Sequence, residues 1–134
     1  MSSVIEKIKK IEKLYHAKGC DDKQIKDAQV ELGLTFPKDY IDIVKEYGAI
    51  SFWGTEWTGL NVDDYLNVVY VTKKEREMNS SFPSNCFVLE NIGIEGELII
   101  CNETGEIFSI CYSKIEKIHD SISEYLDECI QRKK

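Results

Sequence analysis

The sequence predicts an α+β fold: a central, mostly antiparallel sheet (a meander) with N-terminal helices and a C-terminal helix packed around it. Apolar residues recur at helical spacing through the first third of the chain. Short apolar and β-branched runs separated by turn residues fill much of the second half, and a capped helical segment closes the chain. Because the connections between these runs are short, neighbouring strands should pair in antiparallel order. Helices at both ends of such a meander are typical of α+β folds.

Two helices are predicted before residue 33. The first runs from about residue 3 to residue 17 and ends near Gly19. The second covers residues 22–32, and Asp21 or Asp22 can cap it by accepting a hydrogen bond from a backbone N–H of the first turn. The apolar residues that define these two helices are Val4, Ile5, Ile8, Ile11, Leu14, Ile25, Ala28 and Leu32.

A third helix and a first strand follow. Pro37 suits the first turn of a helix over residues 37–47, because its ring fixes φ and it lacks an N–H that would have no partner there. Gly48 stands where the helical periodicity stops. After it the period changes, and residues 50–53 predict an aromatic strand that Gly54 interrupts.

The segment after this strand is less regular. Asp63, Asp64 and Tyr65 mark a turn or the start of a short helix. Residues 66–71 (LNVVYV) are β-branched and aromatic, which favours a strand, although a helix is the alternative. The polar residues 72–78 (TKKEREM) then predict the start of a helix.

The last third contains the clearest strand signals. Strands are predicted over residues 86–90, 98–101 and 106–112, with turns between them at Gly-containing segments. Ser121 and Glu124 form the S-x-x-E pattern of a capping box, which predicts a closing helix to about residue 132.

The segment over residues 34–60, LTFPKDYIDIVKEYGAISFWGTEWTGL, resembles the signature of the SMI1/KNR4 family of the SUKH superfamily. In that signature a proline-started helix ending in Tyr-Gly leads into a strand and a glycine-rich, tryptophan-bearing turn. Residues 96–108 are similar to a hairpin of the same family, with Glu97 where many members carry aspartate. The resemblance covers about residues 20–130. It implies N-terminal helices, a sheet and a C-terminal helix, and bacterial members of this family look like immunity proteins that silence a cognate toxin, often a nuclease.

Length and composition limit the classes of protein that fit. A chain of 134 residues, 43% hydrophobic and 31% charged, suits one folded domain over residues 1–134. It contains no apolar run of the roughly 20 residues that cross a membrane, and its N-terminus does not have the pattern of a secretory signal. The five cysteines include no C-x-x-C pair, so we expect reduced thiols and no zinc or other cofactor. These features predict a cytoplasmic protein.

The sequence offers no arrangement of residues that is typical of catalysis. His16 and His119 are far apart in the chain, and there is no G-x-S-x-G, Walker or G-x-G-x-x-G motif. The paired carboxylates, Asp63 with Asp64 and Glu95 with Glu97, need not aim at one bond as an acid and base couple must. We therefore expect no enzyme activity.

Charge indicates the kind of partner. The net charge is −7, and residues 27–120 hold seven basic residues against seventeen acidic ones. Such a surface is unsuited to a nucleic acid backbone and compatible with a basic protein. The residues that we predict to bind the partner combine exposed aromatics with carboxylates; they are Glu56, Trp57, Asp63, Asp64, Tyr65, Glu95 and Glu97.

Together, these observations predict a non-catalytic protein-binding domain, an immunity protein that neutralises a basic toxin such as a nuclease by occluding it. Two alternatives remain open. One is a regulatory or scaffold protein of the SMI1/KNR4 type, and the other is a domain that binds a small ligand in a cleft beneath the loop over residues 54–59. Either would act without membrane or nucleic acid, and the oligomeric state is left open.

Overall fold

The computed structural model describes residues 3–93 and 96–132, and within them it confirms the α+β class and the antiparallel meander. Seven strands lie in one sheet in chain order, and every neighbouring pair is antiparallel. The elements are α1 (Ser3–Lys9), β1 (Tyr15–His16), α2 (Asp22–Leu32), α3 (Lys38–Tyr47), β2 (Ile50–Phe52), β3 (Thr55–Trp57), a 3₁₀ turn (Asp64–Leu66), α4 (Val68–Met78), β4 (Cys86–Asn91), β5 (Glu97–Asn102), β6 (Ile107–Cys111), β7 (Lys114–His119) and α5 (Ile122–Gln131).

The capping residues predicted for α2 and α5 do cap these helices. The Asp21 Oδ1 atom accepts a hydrogen bond from the backbone N–H of Gln24 at 2.8 Å, and the Gln24 Oε1 atom accepts one from the Asp21 N–H at 3.1 Å. Ser121 Oγ accepts a bond from the Glu124 N–H at 3.1 Å. Each bond satisfies a backbone group that the helix itself leaves without a partner.

The first predicted helix is too long. It ends at Lys9 instead of residue 17, and Tyr15 and His16 form β1, which pairs with β2. Lys13 adopts a positive φ of 59°, which no helix residue does, so the chain turns between the two elements. Ile11 is nevertheless buried. Apolar spacing therefore continues past the helix end, because a turn residue also reaches the core.

The strand predicted over residues 66–71 is wrong, because Val68 to Met78 form the helix α4. The Asn67 Oδ1 atom caps it by accepting bonds from the N–H groups of Val69 at 2.9 Å and Tyr70 at 3.1 Å. One side of the helix is buried, through Val68, Val71 and Thr72. The cap and this buried face outweigh the modest strand propensity of a β-branched run.

The sheet carries apolar side chains on both faces. Phe87, Cys101 and Ile107 point to the face on which α1, α2, α3 and α5 pack, and this face holds the larger core. Val88 and Ile100 point to the other face, towards the smaller core under α4. We call the first of these the α5 face and the second the α4 face. Polar side chains of the sheet that point to the α5 face can lie beside the terminal helix.

The two edges of the sheet differ. One edge, β1, is two residues long, whereas the other, β7, is six residues long and largely exposed. None of the helices in the described part of the chain has the length and apolar character needed to cross a membrane.

Candidate functional site

A cleft of about 560 Å³ opens on the α5 face of the sheet, and we call it the glutamate cleft. Five glutamates and one arginine line it, which gives these side chains a net formal charge of −4. The complete lining is Gly54, Glu56, Glu90, Asn91, Ile92, Glu97, Ile99, Ser109, Glu116, Ile118, Glu128 and Arg132.

Strand register builds this cleft. Glu90 pairs with Ile99, Ile99 with Ser109, and Ser109 with Glu116, so one row crosses four neighbouring strands. Residues that are paired in an antiparallel sheet point to the same face. Glu97 lies two residues before Ile99 in β5, so its side chain points to that face too.

A β-bulge turns Glu90 towards α5. The register shifts between Val88 and Glu90, so Leu89 is the extra residue. With strict alternation Glu90 would share the α4 face with Val88, but the shift pairs it with Ile99 on the α5 face. The bulge therefore brings a carboxylate to the bottom of the cleft.

Glu90 is 4% exposed and is held by two groups of α5 and its C-terminal end. Its Oε1 atom accepts a hydrogen bond from the Tyr125 hydroxyl, and its Oε2 atom accepts one from Arg132 Nη1 at 3.1 Å. Arg132 Nη2 donates to Tyr125 Oη at 2.9 Å and to Glu128 Oε2 at 3.3 Å. A carboxylate this deeply buried needs such partners, since water cannot solvate its charge.

The buried network also fixes protonation states. Burial, followed by the charge of Glu90, raises the pKa of Tyr125, so this hydroxyl stays protonated and can donate its hydrogen bond. Burial opposes ionisation of Glu128, but hydrogen bonds from His119 and Arg132 prevail and lower its pKa. His119 Nε2 lies 2.7 Å from Glu128 Oε1.

The expectation that Trp57 is exposed at a surface loop is wrong. Trp57 lies in β3, is 1% exposed, and stacks on Tyr125 with ring centroids 5.8 Å apart and planes 6° apart. It is the register partner of Glu90, so its indole points towards α5 and not towards solvent. Trp57 thus supports the bottom of the cleft from inside the core.

Two predicted binding residues do meet in the cleft, Glu56 from β3 and Glu97 from β5. Glu97 accepts a hydrogen bond from Ser109 Oγ at 2.8 Å. Within residues 3–93 and 96–132, Glu56 and Glu116 have no ion-pair or hydrogen-bond partner for their carboxylates. These charges are available to a cation from outside, and the isoleucines between them can contact its apolar part.

The other predicted residues lie elsewhere. Asp63 and Asp64 line a second depression of about 710 Å³ between α2 and α4, which we call the α2–α4 groove. Tyr65 is exposed on the 3₁₀ turn that Asp64 begins. Glu95 lies outside the described residues. The predicted set is therefore divided between two surfaces.

Sequence reasoning missed three glutamates of the cleft and its arginine. Glu90 carried a signal, since a charged residue ends the apolar run CFVLE. Glu116, Glu128 and Arg132 carried none, because each sits in an ordinary polar segment and joins the cleft only through pairing across the sheet and packing of α5.

The cleft has the chemistry of a cation-binding surface. Among the residues that the structure describes, no group of three or more histidine, cysteine, aspartate or glutamate side chains is arranged to hold a metal ion. Carboxylates set among isoleucines suit the long side chains of lysine and arginine, whose stems are apolar and whose heads are charged.

Comparison with known proteins identifies the family. The family described as SMI1-KNR4 cell-wall, of the SUKH group, matches the chain over residues 1–131 of 134. No curated protein matches the chain. The family match covers nearly the whole chain, and it includes both the proline-started helix and the strands that build the cleft. The chain therefore belongs to the SMI1-KNR4 family.

Proposed function

We propose that this chain is an immunity protein: a non-catalytic binding domain that neutralises a basic protein toxin by covering its functional surface. Membership of the SMI1-KNR4 family supports an immunity-type or SMI1/KNR4 domain. The glutamate cleft is the observation that carries the finer proposal, because it gathers five carboxylates from four strands and a helix on one concave surface.

The cleft already binds one guanidinium group. Arg132 is held there by Glu90 and Glu128, with its guanidinium carbon 5.5 Å from the centre of the Tyr125 ring. Carboxylate pairs and aromatic faces are the groups that bind arginine best in proteins. Glu56 and Glu116 offer the same chemistry to a basic side chain of a partner.

Occlusion fits the charge of both molecules. A toxin that cuts nucleic acid grips phosphates with lysine and arginine side chains, and a surface of carboxylates can compete for these side chains. Opposite charges also speed encounter between the two proteins. The inhibitor then needs no chemistry of its own. We place this activity in the cytoplasm, where the free cysteines of the chain would stay reduced.

The test compares two triple variants with the same change in charge. In the first, Glu56, Glu97 and Glu116 are replaced by glutamine within the cleft. In the second, three exposed glutamates outside it are replaced by glutamine: Glu12, Glu46 and Glu77. The partner is the toxin domain that the proposal expects to be encoded beside this chain. Its own active site is inactivated for calorimetry and left intact for co-expression in cells.

We expect the unmodified protein and the E12Q/E46Q/E77Q variant both to protect cells and to bind the toxin domain with affinities within a few-fold of each other. The E56Q/E97Q/E116Q variant should bind at least about 100-fold more weakly, because the loss of even two close charge pairs of about 1.5 kcal/mol each at an interface corresponds to roughly that factor. Equal loss in both variants would mean that only net charge matters and would remove the cleft from the proposal. Failure of the unmodified protein to bind or protect would refute the immunity function.

A scaffold role is the second candidate, and the α2–α4 groove favours it. Asp63 and Asp64 line this groove, and Tyr65 and Tyr70 are exposed beside or within it, so it is an acidic and aromatic surface separate from the cleft. Two separate surfaces would allow two partners. If the D63N/D64N variant loses toxin binding and the cleft variant does not, the groove is the toxin site; if the toxin binds neither surface, the scaffold role is favoured.

A further inference from the structure

The strand β7 is the long open edge of the sheet. Within the described ranges it pairs with β6 on one side and with no strand on the other. Five of its six residues are exposed. Backbone N–H and C=O groups along such an edge can pair with another strand, which is why edges usually carry features that prevent pairing.

A bulge disrupts only the C-terminal half of β7. At its C-terminal end the register shifts opposite Ile107 and Phe108, which makes a bulge at Ile118. Lys117, a residue type that often protects edges, is neutralised within the chain by Glu106 at 2.7 Å and Asp120 at 2.6 Å. The other half, Lys114 to Glu116, has no bulge, and Lys114 has no ion pair within the described residues. The charge of Lys114 can therefore pair with a carboxylate of an incoming strand.

Exposed apolar side chains lie along this edge, on both faces of the sheet. Ile115 is 39% exposed and Ile118 is 37% exposed, both in β7, and Tyr112, in the turn before it, is 71% exposed. Ile115 pairs with Ile110 and so points to the α4 face, whereas Ile118 lines the cleft on the α5 face. Ile115 and Tyr112 are therefore the exposed apolar side chains beside the Lys114 to Glu116 half of the strand.

The backbone of Ile115 is directed outward. Cys111 and Lys114 are register partners on either side of a two-residue turn, so their own backbone groups face each other. Hydrogen-bonding direction alternates along an antiparallel strand, so the N–H and C=O groups of Ile115 point to the open edge. A pair of strands centred on Ile115 would exchange both bonds.

The side chains allow one symmetric register among those centred on residues 114 to 117. Residues opposite each other in an antiparallel pair share a face, so the two-fold axis must pass midway between one residue and its own copy. Centring on Lys114, Glu116 or Lys117 places that charge opposite itself. Centring on Ile115 places isoleucine opposite isoleucine and Lys114 opposite Glu116 of the second copy, twice.

We infer that a second copy of this chain is the partner of the β7 edge, and that two copies pair their β7 strands in antiparallel order with Ile115 at the two-fold axis. The contact is short, so the dimer forms at micromolar to millimolar concentrations. It also has a consequence for the cleft. Glu116 lines the cleft, so Lys114 of the second copy stands at the cleft wall and competes with a basic partner.

Charge reversal at two positions tests this register on the protein alone, without any toxin. K114E and E116K each place like charges opposite each other twice in a homodimer, and each should raise the dissociation constant at least tenfold. In an equimolar mixture the two variants complement each other, because the carboxylates at positions 114 and 116 of the first variant then face the ammonium groups at positions 116 and 114 of the second. Sedimentation velocity should therefore show dimers in the mixture at concentrations where each variant alone is a monomer.

A backbone variant keeps the proposal falsifiable. I115P removes an outward N–H from an edge strand, so it should abolish self-association while the chain still unfolds cooperatively on heating. A protein that stays monomeric at about 1 mM, or a dimer that K114E and I115P leave intact, overturns the proposal. Hydrogen exchange gives a further test. The proposal is also overturned if the β7 amides become protected when the toxin domain is added but not when the concentration of the protein itself is raised.

Discussion

Glu90 forms the bottom of the cleft with its carboxylate. It is buried, it comes from a bulged strand, and its charge is compensated by Arg132, one residue beyond α5. The contact joins residues that are 42 positions apart. Removing one partner of a buried pair leaves the other charge without compensation, which costs more than the pair itself contributes.

Replacing Arg132 with alanine should therefore destabilise the fold. We expect R132A to lower the free energy of unfolding by about 2 kcal/mol, less than for a fully buried pair because Arg132 is partly exposed. The double variant R132A/E90Q should lose less than the sum of the two single variants, because the neutral amide needs no cation. Urea unfolding measures all three. E128Q, which removes the more exposed partner of Arg132, is the control, and an equal effect of E128Q and R132A would contradict this view.

Alkaline pH should destabilise the protein through two buried tyrosines. Burial is the largest cause that raises the pKa of Tyr40 and of Tyr125 in the folded state. Below the ordinary tyrosine pKa of about 10, both the folded and the unfolded chain keep these protons, so ionisation of these tyrosines does not lower the free energy of unfolding. Above it the unfolded chain releases them first, and stability is lost as pH rises.

Absorbance of tyrosinate checks this prediction directly. The signal of Tyr40 and Tyr125 should appear only together with loss of the circular dichroism of the fold. In the Y125F variant, the tyrosinate absorbance that appears on unfolding should still include the contribution of Tyr40 and should lack that of Tyr125. Complete ionisation of all seven tyrosines before unfolding would disprove the assigned burial.

At the scale of elements, the α4 helix shows how a local cap and a buried face override strand propensity. Its N-terminus rests on Asn67, which accepts bonds from two backbone N–H groups and donates one to the Val62 carbonyl at 3.1 Å. Thr72 extends this link by accepting a bond from the Val88 N–H at 3.0 Å, which fastens the helix to β4.

Asn67→Ala should lower the free energy of unfolding by about 1 kcal/mol, because the first turn of α4 loses its cap. Asn67→Asp keeps a cap oxygen beside the positive end of the helix, so it should cost clearly less. Thermal or urea unfolding of both variants gives the comparison. A loss as large in N67D as in N67A would show that the bond to Val62 matters more than the cap.

At the scale of the whole molecule, charge should govern how fast a basic partner arrives. The chain carries a net charge of −7, and one cleft holds five of its carboxylates. Long-range attraction is screened beyond about 10 Å at 0.1 M salt, whereas close contacts are screened much less. Salt should thus act more on association than on dissociation.

If the toxin domain is the partner, its association rate should fall about tenfold or more between roughly 0.01 M and 0.3 M salt, with a smaller change in the dissociation rate. Stopped-flow mixing at several salt concentrations measures the association rate, and displacement by excess unlabelled protein measures the dissociation rate. The E12Q/E46Q/E77Q variant should lose part of this salt dependence and keep its dissociation rate. A salt-independent association rate would contradict electrostatic steering.

The sequence by itself determined the class of the fold, the order of most elements and the family. Caps, the proline at a helix start and changes of period lie within a few residues of the structure they specify, as at Asp21, Pro37 and Ser121. The acidic charge and nearby aromatic residues predicted Glu56 and Glu97 as part of a binding surface, and their role stays a prediction.

Only the tertiary structure decided which carboxylates share one surface and which aromatic is buried. Glu90, Glu116 and Glu128 come together through a bulge, a strand register and the packing of α5, and Trp57 turns inward because it pairs with Glu90. Each of these depends on contacts between segments far apart in the chain. Shifting a strand by one residue would send its side chains to the opposite face without changing any local pattern.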